Sequence, residues 1–204
     1  MTVTRIEPCG KTRYRIHLDG EPAFILYKGE MKNLGIREGE EVSPDTLETI
    51  YSAILYRRAR LRAMHLLEDM DRTEAGLREK LRQGEYPEEV TEKAIAYVRS
   101  FGYLNDARYA ENFILSRQDT KSRREIEALL IKKGVAREII DQAFSVCYTE
   151  NGELEAVRKI LRKKRFDPDS ADSLQMQKIY GYLARKGFRY ETIRQVIQNH
   201  AEDA

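Results

Sequence analysis

The chain has no tryptophan, two cysteines, three histidines and five prolines in 204 residues. Each shortage excludes something. Cys9 and Cys147 have no CxxC partner and no neighbouring histidine, so no zinc-finger or redox pair is written here. Two cysteines so far apart, without secretory features, read as free thiols. His17, His65 and His200 are scattered without metal-ligand spacing, and no metal is expected. No apolar run approaches the roughly 20 residues that span a bilayer. The opening MTVTRIEPCGK lacks the basic-then-apolar layout of a signal peptide. A cytoplasmic protein with no membrane partner is therefore expected. Neither sign of charge dominates: 36 Lys and Arg face 34 Asp and Glu, for a net charge of +2. An acidic or nucleic-acid partner must then be met by a local patch. No glycine loop has the pattern of a phosphate cradle, and no cofactor is expected.

What is present is helix-forming material in a chain that is 34% charged and 41% hydrophobic. The first 42 residues stand apart. In RYRIHLDG, Tyr14, Ile16 and Leu18 alternate with Arg15, His17 and Asp19, the period of a strand. Asp19-Gly20 then supplies a hairpin turn. TVTRIEP and AFILYKG complete a small antiparallel sheet of about three strands. KGEMKNLGI reads as a short helix closed by Gly35 in a left-handed conformation. So small a unit buries little by itself and should dock on the neighbouring helical part of the chain. Ser43-Pro44 opens a helix as cap and first residue. Leu47, Ile50, Tyr51, Ile54, Leu55, Leu61, Met64 and Leu67 continue it, as one long helix or two collinear ones.

Beyond this the chain repeats. GLREKLRQGEYPEEVTEKAI, EIEALLIKKGVAREIIDQAF and KIYGYLARKGFRYETIRQVI align. Leu77, Ile126 and Ile179 correspond, as do Leu81, Leu130 and Leu183. So do Ala94, Ala143 and Val196, followed by Ile95, Phe144 and Ile197. Gly134 and Gly187 match, whereas the first copy has Glu85 there, with Gly84 one place earlier. A further helical stretch precedes each pair, so the unit is three helices recurring roughly every 50 residues. The expected architecture is mainly α: tandem three-helix, helix-turn-helix-like repeats, elongated and curved, with a small N-terminal β-rich extension. The segments are 1–42 for the extension, 43–105 for the first repeat with its linker helix, 106–152 for the second repeat and 153–204 for the third.

FGYLNDARYA, residues 101–110, sits where the first copy hands over to the second. Gly102 suits a left-handed helix end, and Asp106 or Asn105 a cap for the next helix. Tyr103, Leu104 and Tyr109 should fill the seam. A catalytic reading needs a nucleophile, base or metal close by, and no His or Cys lies near. Gly102, Tyr103, Leu104, Asn105, Asp106, Arg108, Tyr109 and Ala110, followed by Lys121, Arg123, Arg124, Ile126, Leu130 and Gly134, resemble the RecX family. The resemblance covers about residues 57–200 and is strongest in the central copy. It implies a non-enzymatic bacterial regulator of the RecA recombinase. Its partner would be the RecA filament on single-stranded DNA. It would inhibit ATPase, recombinase and coprotease activities in DNA repair, recombination and the SOS response.

Two charge features are candidates for partner binding. Arg158, Lys159, Arg162, Lys163, Lys164 and Arg165 form one run, and Lys121, Arg123, Arg124, Lys132 and Lys133 another. Spacings of seven to eight place Arg124 and Lys132 on one helix face. Such runs suit phosphates or an acidic protein surface, but a solvated helix end reads the same way. YRRARLR, 56–62, is a weaker third. Glu153 and Glu155 read as exposed and dispensable. The alternative function is direct DNA binding through the helix-turn-helix-like units, with at most weak DNA contact beside RecA in the leading reading. A monomer is expected.

Overall fold

The computed structural model describes residues 1–199. The end of the resemblance at His200 and the last five residues of the expected third repeat, 200–204, lie outside them. The chain divides into two compact units, Met1–Asn105 and the part from Asp106 onward.

The first unit opens with strands β1 (Val3–Pro8), β2 (Arg13–Leu18) and β3 (Glu21–Tyr27) in an antiparallel sheet of order β1-β2-β3. Asp19 and Gly20 both take positive φ, as a two-residue turn with a right-handed strand twist requires. The register sets Ile16 opposite both Ile6 and Phe24, so one apolar face looks inward. The outer edge of β1 is not left open. Val3 donates to the Glu40 carbonyl at 2.9 Å, and Gly39 donates back to Val3 at 2.8 Å, which removes a bare pairing edge. Helix α1 (Lys28–Leu34) ends at Gly35 with φ +65°.

Ser43 then caps α2 (Pro44–Thr49), accepting from Thr46 N–H at 3.1 Å. The helix runs on through a π-helical turn, Ile50–Leu55, into α3 (Tyr56–Asp69). The apolar periodicity did not reveal that turn. The spacing of Ile50 and Leu55 is consistent with it. Five residues apart, they would point about 140° apart in an α-helix. The wider i→i+5 turn brings them closer to one face, and both are fully buried. The Thr49 and Ser52 hydroxyls donate to the carbonyls of Asp45 and Glu48, four residues back, which loosens the ordinary ladder there.

Helices α4 (Glu74–Gln83) and α5 (Glu88–Ser100) complete the first repeat. One core joins the sheet to these helices: Val3, Ile16, Phe24 and Leu26 share it with Ile50, Ala59, Leu77, Leu81, Ala94 and Ile95. Phe24 and Tyr51 meet edge to face at 5.7 Å, and Arg58 donates to the Ile25 carbonyl at 2.7 Å. The extension docks on the first repeat, as its small size demands.

The second unit holds α6 (Asp106–Leu115), α7 (Arg123–Lys132), α8 (Arg137–Cys147), α9 (Glu150–Lys164), α10 (Ser173–Arg185) and α11 (Tyr190–Asn199). Two buried clusters lie within it, one around Ile126, Leu130 and Phe144, the other around Ile179, Leu183 and Val196. The aligned Leu/Ile frame is thus the core frame in every copy: Leu77, Leu81, Ile126, Leu130, Ile179 and Leu183 are all buried.

The turns obey the same frame. Gly134 and Gly187 have φ of +78° and +90°, and Glu85 takes φ +58° at their equivalent. A side chain in that conformation costs about 1–2 kcal/mol. Part of the cost is offset by Arg15, whose guanidinium sits 2.6 Å from the Glu85 carboxylate. Gly84 is needed for another reason. A Cβ there would lie 2.9 Å from the Tyr86 ring and 3.1 Å from the Leu81 carbonyl.

Candidate partner-binding surface

The joint at 101–110 is structural for most of its residues. Gly102 takes φ +71°. It donates to the Arg99 carbonyl at 2.9 Å, and Tyr103 donates to Val98 at 3.0 Å, closing α5 in the manner of a Schellman turn. Helix α6 starts at Asp106. Asn105 therefore holds the cap position, and Asp106 lies in the first turn, where its charge complements the helix dipole. Leu104 is buried in the first unit's core, and Ala110 in the second unit's. Tyr109 is half-buried and stacks on Phe113 at 6.0 Å. Arg108 is exposed.

Tyr103 departs from expectation. It is 51% exposed and lies parallel to the exposed ring of Phe101 at 6.0 Å, instead of filling a seam. In extended chain, neighbouring side chains point to opposite sides. Leu104 takes the inward position here, so Tyr103 turns out.

The basic run lies on α9, whose Ala156, Val157 and Leu161 face the core. Arg158 and Arg162 both reach back to Glu155, and Lys159 pairs with Asp119. The Lys164 ammonium sits 4.0 Å from the Tyr182 ring centroid. Arg165 ends the helix in a left-handed conformation, with φ +52°. The second set disperses. Lys121 pairs with Glu125. Arg123 lies over the Phe144 ring at 4.6 Å, and Lys133 approaches the rings of Tyr109 and Phe113 at 5.9 and 5.7 Å. Arg124 and Lys132 are exposed on α7.

Members of both sets nevertheless converge. Lys121, Lys159, Lys163 and Lys164, joined by Lys186, line a cleft of about 530 Å³ in the second unit, with Glu125 as the carboxylate on its wall. Hydrogen bonding to Lys159 holds the Asp119 carboxyl below its usual range. Lys163, Lys164 and Lys186 have no carboxylate within 4 Å among the described residues. Arg123, Arg124, Lys132, Lys133, Arg158, Arg162 and Arg165 do not line the cleft.

Its walls are fixed by contacts between the second and third helical triplets. Buried Ser122 caps α7, accepting from Glu125 N–H at 3.2 Å, and donates to the Lys186 carbonyl at 2.6 Å. A Cβ on Gly187 would stand 2.9 Å from the Cβ of Arg124 and 3.0 Å from the Ser122 hydroxyl. The Gln118 side chain accepts from Thr149 N–H at 3.1 Å. Glu153, expected on the surface, is 1% exposed and faces Arg189 at 3.3 Å. Arg189, in the turn before α11, supplies the positive charge that lets a carboxylate sit inside. Glu155 is likewise engaged, by Arg158 and Arg162.

Three family profiles match in series. They are the RecX first three-helix domain at residues 59–97, the second at 105–143 and the third at 151–197. "Regulatory protein RecX" of Caldanaerobacter subterraneus subsp. tengcongensis is 32% identical over 97% of this chain and 98% of that one. The chain belongs to the RecX family. A further RecX relative, from Clostridium acetobutylicum, is 31% identical, covering 97% of this chain and 95% of its own. A crystal structure of regulatory protein RecX superposes with a TM-score of 0.65 at 26% identity, covering 96% of this chain and 98% of the other.

The lysine cleft of this RecX chain contains one residue that sequence reading passed over. Lys186 precedes Gly187 just as Lys133 precedes Gly134. The repeat alignment itself carried that signal. Among the described residues no helix is long and apolar enough to cross a membrane, and no group of His, Cys, Asp and Glu is gathered to hold a metal ion.

Proposed function

We propose that this RecX-family chain is a non-enzymatic cytoplasmic regulator that binds RecA assembled on single-stranded DNA and restrains its ATPase, strand-exchange and coprotease activities. The observation that carries the reading to particular residues is the lysine cleft. Three ammonium groups without carboxylate partners among the described residues, two on α9 and one in the turn that ends α10, stand around a concavity large enough to receive acidic side chains. Pre-formed positive charge steers encounter with an acidic surface and selects against basic ones. The domain boundaries 43–105, 106–152 and 153–204 belong to the same proposal, each repeat offering one face to the filament.

Direct binding to nucleic acid is the second reading, because the same lysines suit phosphates. A pull-down with RecA, with and without single-stranded DNA and across a salt series, separates the two. RecA-dependent capture supports the first reading. Equal capture by bare single strands, with log affinity falling about 0.7 per log unit of salt for each phosphate neutralised, supports the second.

A further inference from the structure

The first unit carries a second basic concavity, remote in sequence from the lysine cleft and independent of the regulatory reading. A cleft of about 390 Å³ opens between strand β3, helix α3 and the α4–α5 turn. Arg13, Arg58, Arg62 and Lys80 line it. Glu85 is its carboxylate, and that group is already held by Arg15 at 2.6 Å. Arg13, Arg62 and Lys80 have no carboxylate within 4 Å among the described residues. In a chain with nearly equal numbers of acids and bases, such a concentration is unbalanced.

Two further features mark the cleft as more than a charged surface. Arg58 is held in place by the Ile25 carbonyl at 2.7 Å and the Glu30 carboxylate at 3.6 Å. Its Nε is closed off from solvent and finds no acceptor among the described residues. A donor left so is costly unless something accepts from it. The cleft also has aromatic walls, Tyr27 and Tyr86. The Arg58 guanidinium covers one side of the Tyr27 ring at 4.9 Å, and the tyrosine remains 41% exposed. Burial raises the pKa of Tyr86, against the pull of Arg58, Arg62 and Arg13, so those cations converge on one place.

We propose that this cleft binds a nucleoside di- or triphosphate, its phosphates on Arg13, Arg62 and Lys80 and its base stacked against Tyr27. The volume falls within the range of small-molecule sites. Flexible lysine and forked arginine donors suit phosphate oxygens, and an exposed tyrosine face suits a purine or pyrimidine.

The test is calorimetric titration of the full chain with ATP, inorganic tripolyphosphate and a short single-stranded oligonucleotide. Each is repeated on Arg62→Glu/Lys80→Glu and on Lys163→Glu/Lys186→Glu, whose folding is checked by circular dichroism. The expected result is one ATP per chain, at least tenfold weaker binding in the first variant, no change in the second, and weaker binding of tripolyphosphate than of ATP. A milder variant, Lys80→Gln, should lose affinity in part, which guards against a folding defect in the double reversal. The proposal is overturned if ATP fails to bind at millimolar concentration or if the first variant binds as the native chain does. It is equally overturned if tripolyphosphate matches ATP or if only the oligonucleotide binds.

Discussion

Replacing Ser122 with alanine should cost far more than an ordinary helix-cap deletion. The Ser122 hydroxyl is buried and has two partners, the Glu125 N–H of its own helix and the Lys186 carbonyl of the next triplet. Losing the cap costs about 0.5–2 kcal/mol. Stranding the Lys186 carbonyl adds about 1–3 kcal/mol. Together the loss should be about 1.5–5 kcal/mol, concentrated where α7 meets the α10–α11 turn. Ser43→Ala is the reference, since Ser43 is an exposed cap on α2; it should lose only the cap value of about 0.5–2 kcal/mol. Native-state hydrogen exchange reads both sites in the intact chain. Protection in α7 and around Gly187 should fall by about one to three and a half orders of magnitude, at about 1.4 kcal/mol per tenfold, while α4 and α5 hold theirs. If Ser122→Ala loosens its surroundings no more than Ser43→Ala does, the tie between the two triplets is not what fixes the cleft.

Gly187→Ala should lose at least about 1–2 kcal/mol in urea denaturation, because a left-handed residue gains a Cβ that also presses on Arg124 and Ser122. Asn105→Ala should destabilise by about 0.5–2 kcal/mol and Asp106→Ala by less, since the cap position is Asn105; thermal melts of both variants read this, and the reverse order would move the helix start. Glu153→Lys should be among the most damaging single changes, about 3–5 kcal/mol, because it puts a cation inside, facing Arg189; solubility and melting temperature report it. Tyr103→Ala should leave stability within about 0.5 kcal/mol, a small effect that would be inconsistent with a buried seam residue.

The parts of the fold that the sequence made legible are those set by local chemistry. Period-two alternation in RYRIHLDG, the Asp19-Gly20 turn, the Ser43-Pro44 start and the Leu/Ile frame of the three copies each arise from residues near one another. Glu85 shows the limit of that reasoning. With Glu85 where the other two copies have glycine, the first copy still keeps the left-handed turn, helped by Arg15, seventy positions away in the chain. Glu153 fails for the same reason. Its charge reads as surface, but its partner Arg189 arrives only when the third triplet closes. Periodicity could not say which of Tyr103 and Leu104 turns inward, nor that Ile50 and Leu55 would need a wider turn to share a face. At the candidate surface, both basic sets were visible as sequence, but which lysines converge depends on packing. Lys121, Lys159, Lys163 and Lys164 meet at Lys186, while Arg123 and Lys133 lie over rings.

The central claim, regulation of RecA through the lysine cleft, is tested most directly by RecA's ATPase on single-stranded DNA. The assay is titrated with the native chain and with Lys163→Glu/Lys186→Glu. Both side chains are exposed and without carboxylate partners among the described residues, so each reversal should leave stability within about 0.5 kcal/mol. The native chain should suppress turnover in proportion to its concentration. The double reversal should need at least tenfold more protein, with the gap widest at low salt, where exposed charges steer association. Equal suppression by the two would contradict the assignment of the cleft, and no suppression by the native chain at any ratio to RecA would contradict the function itself.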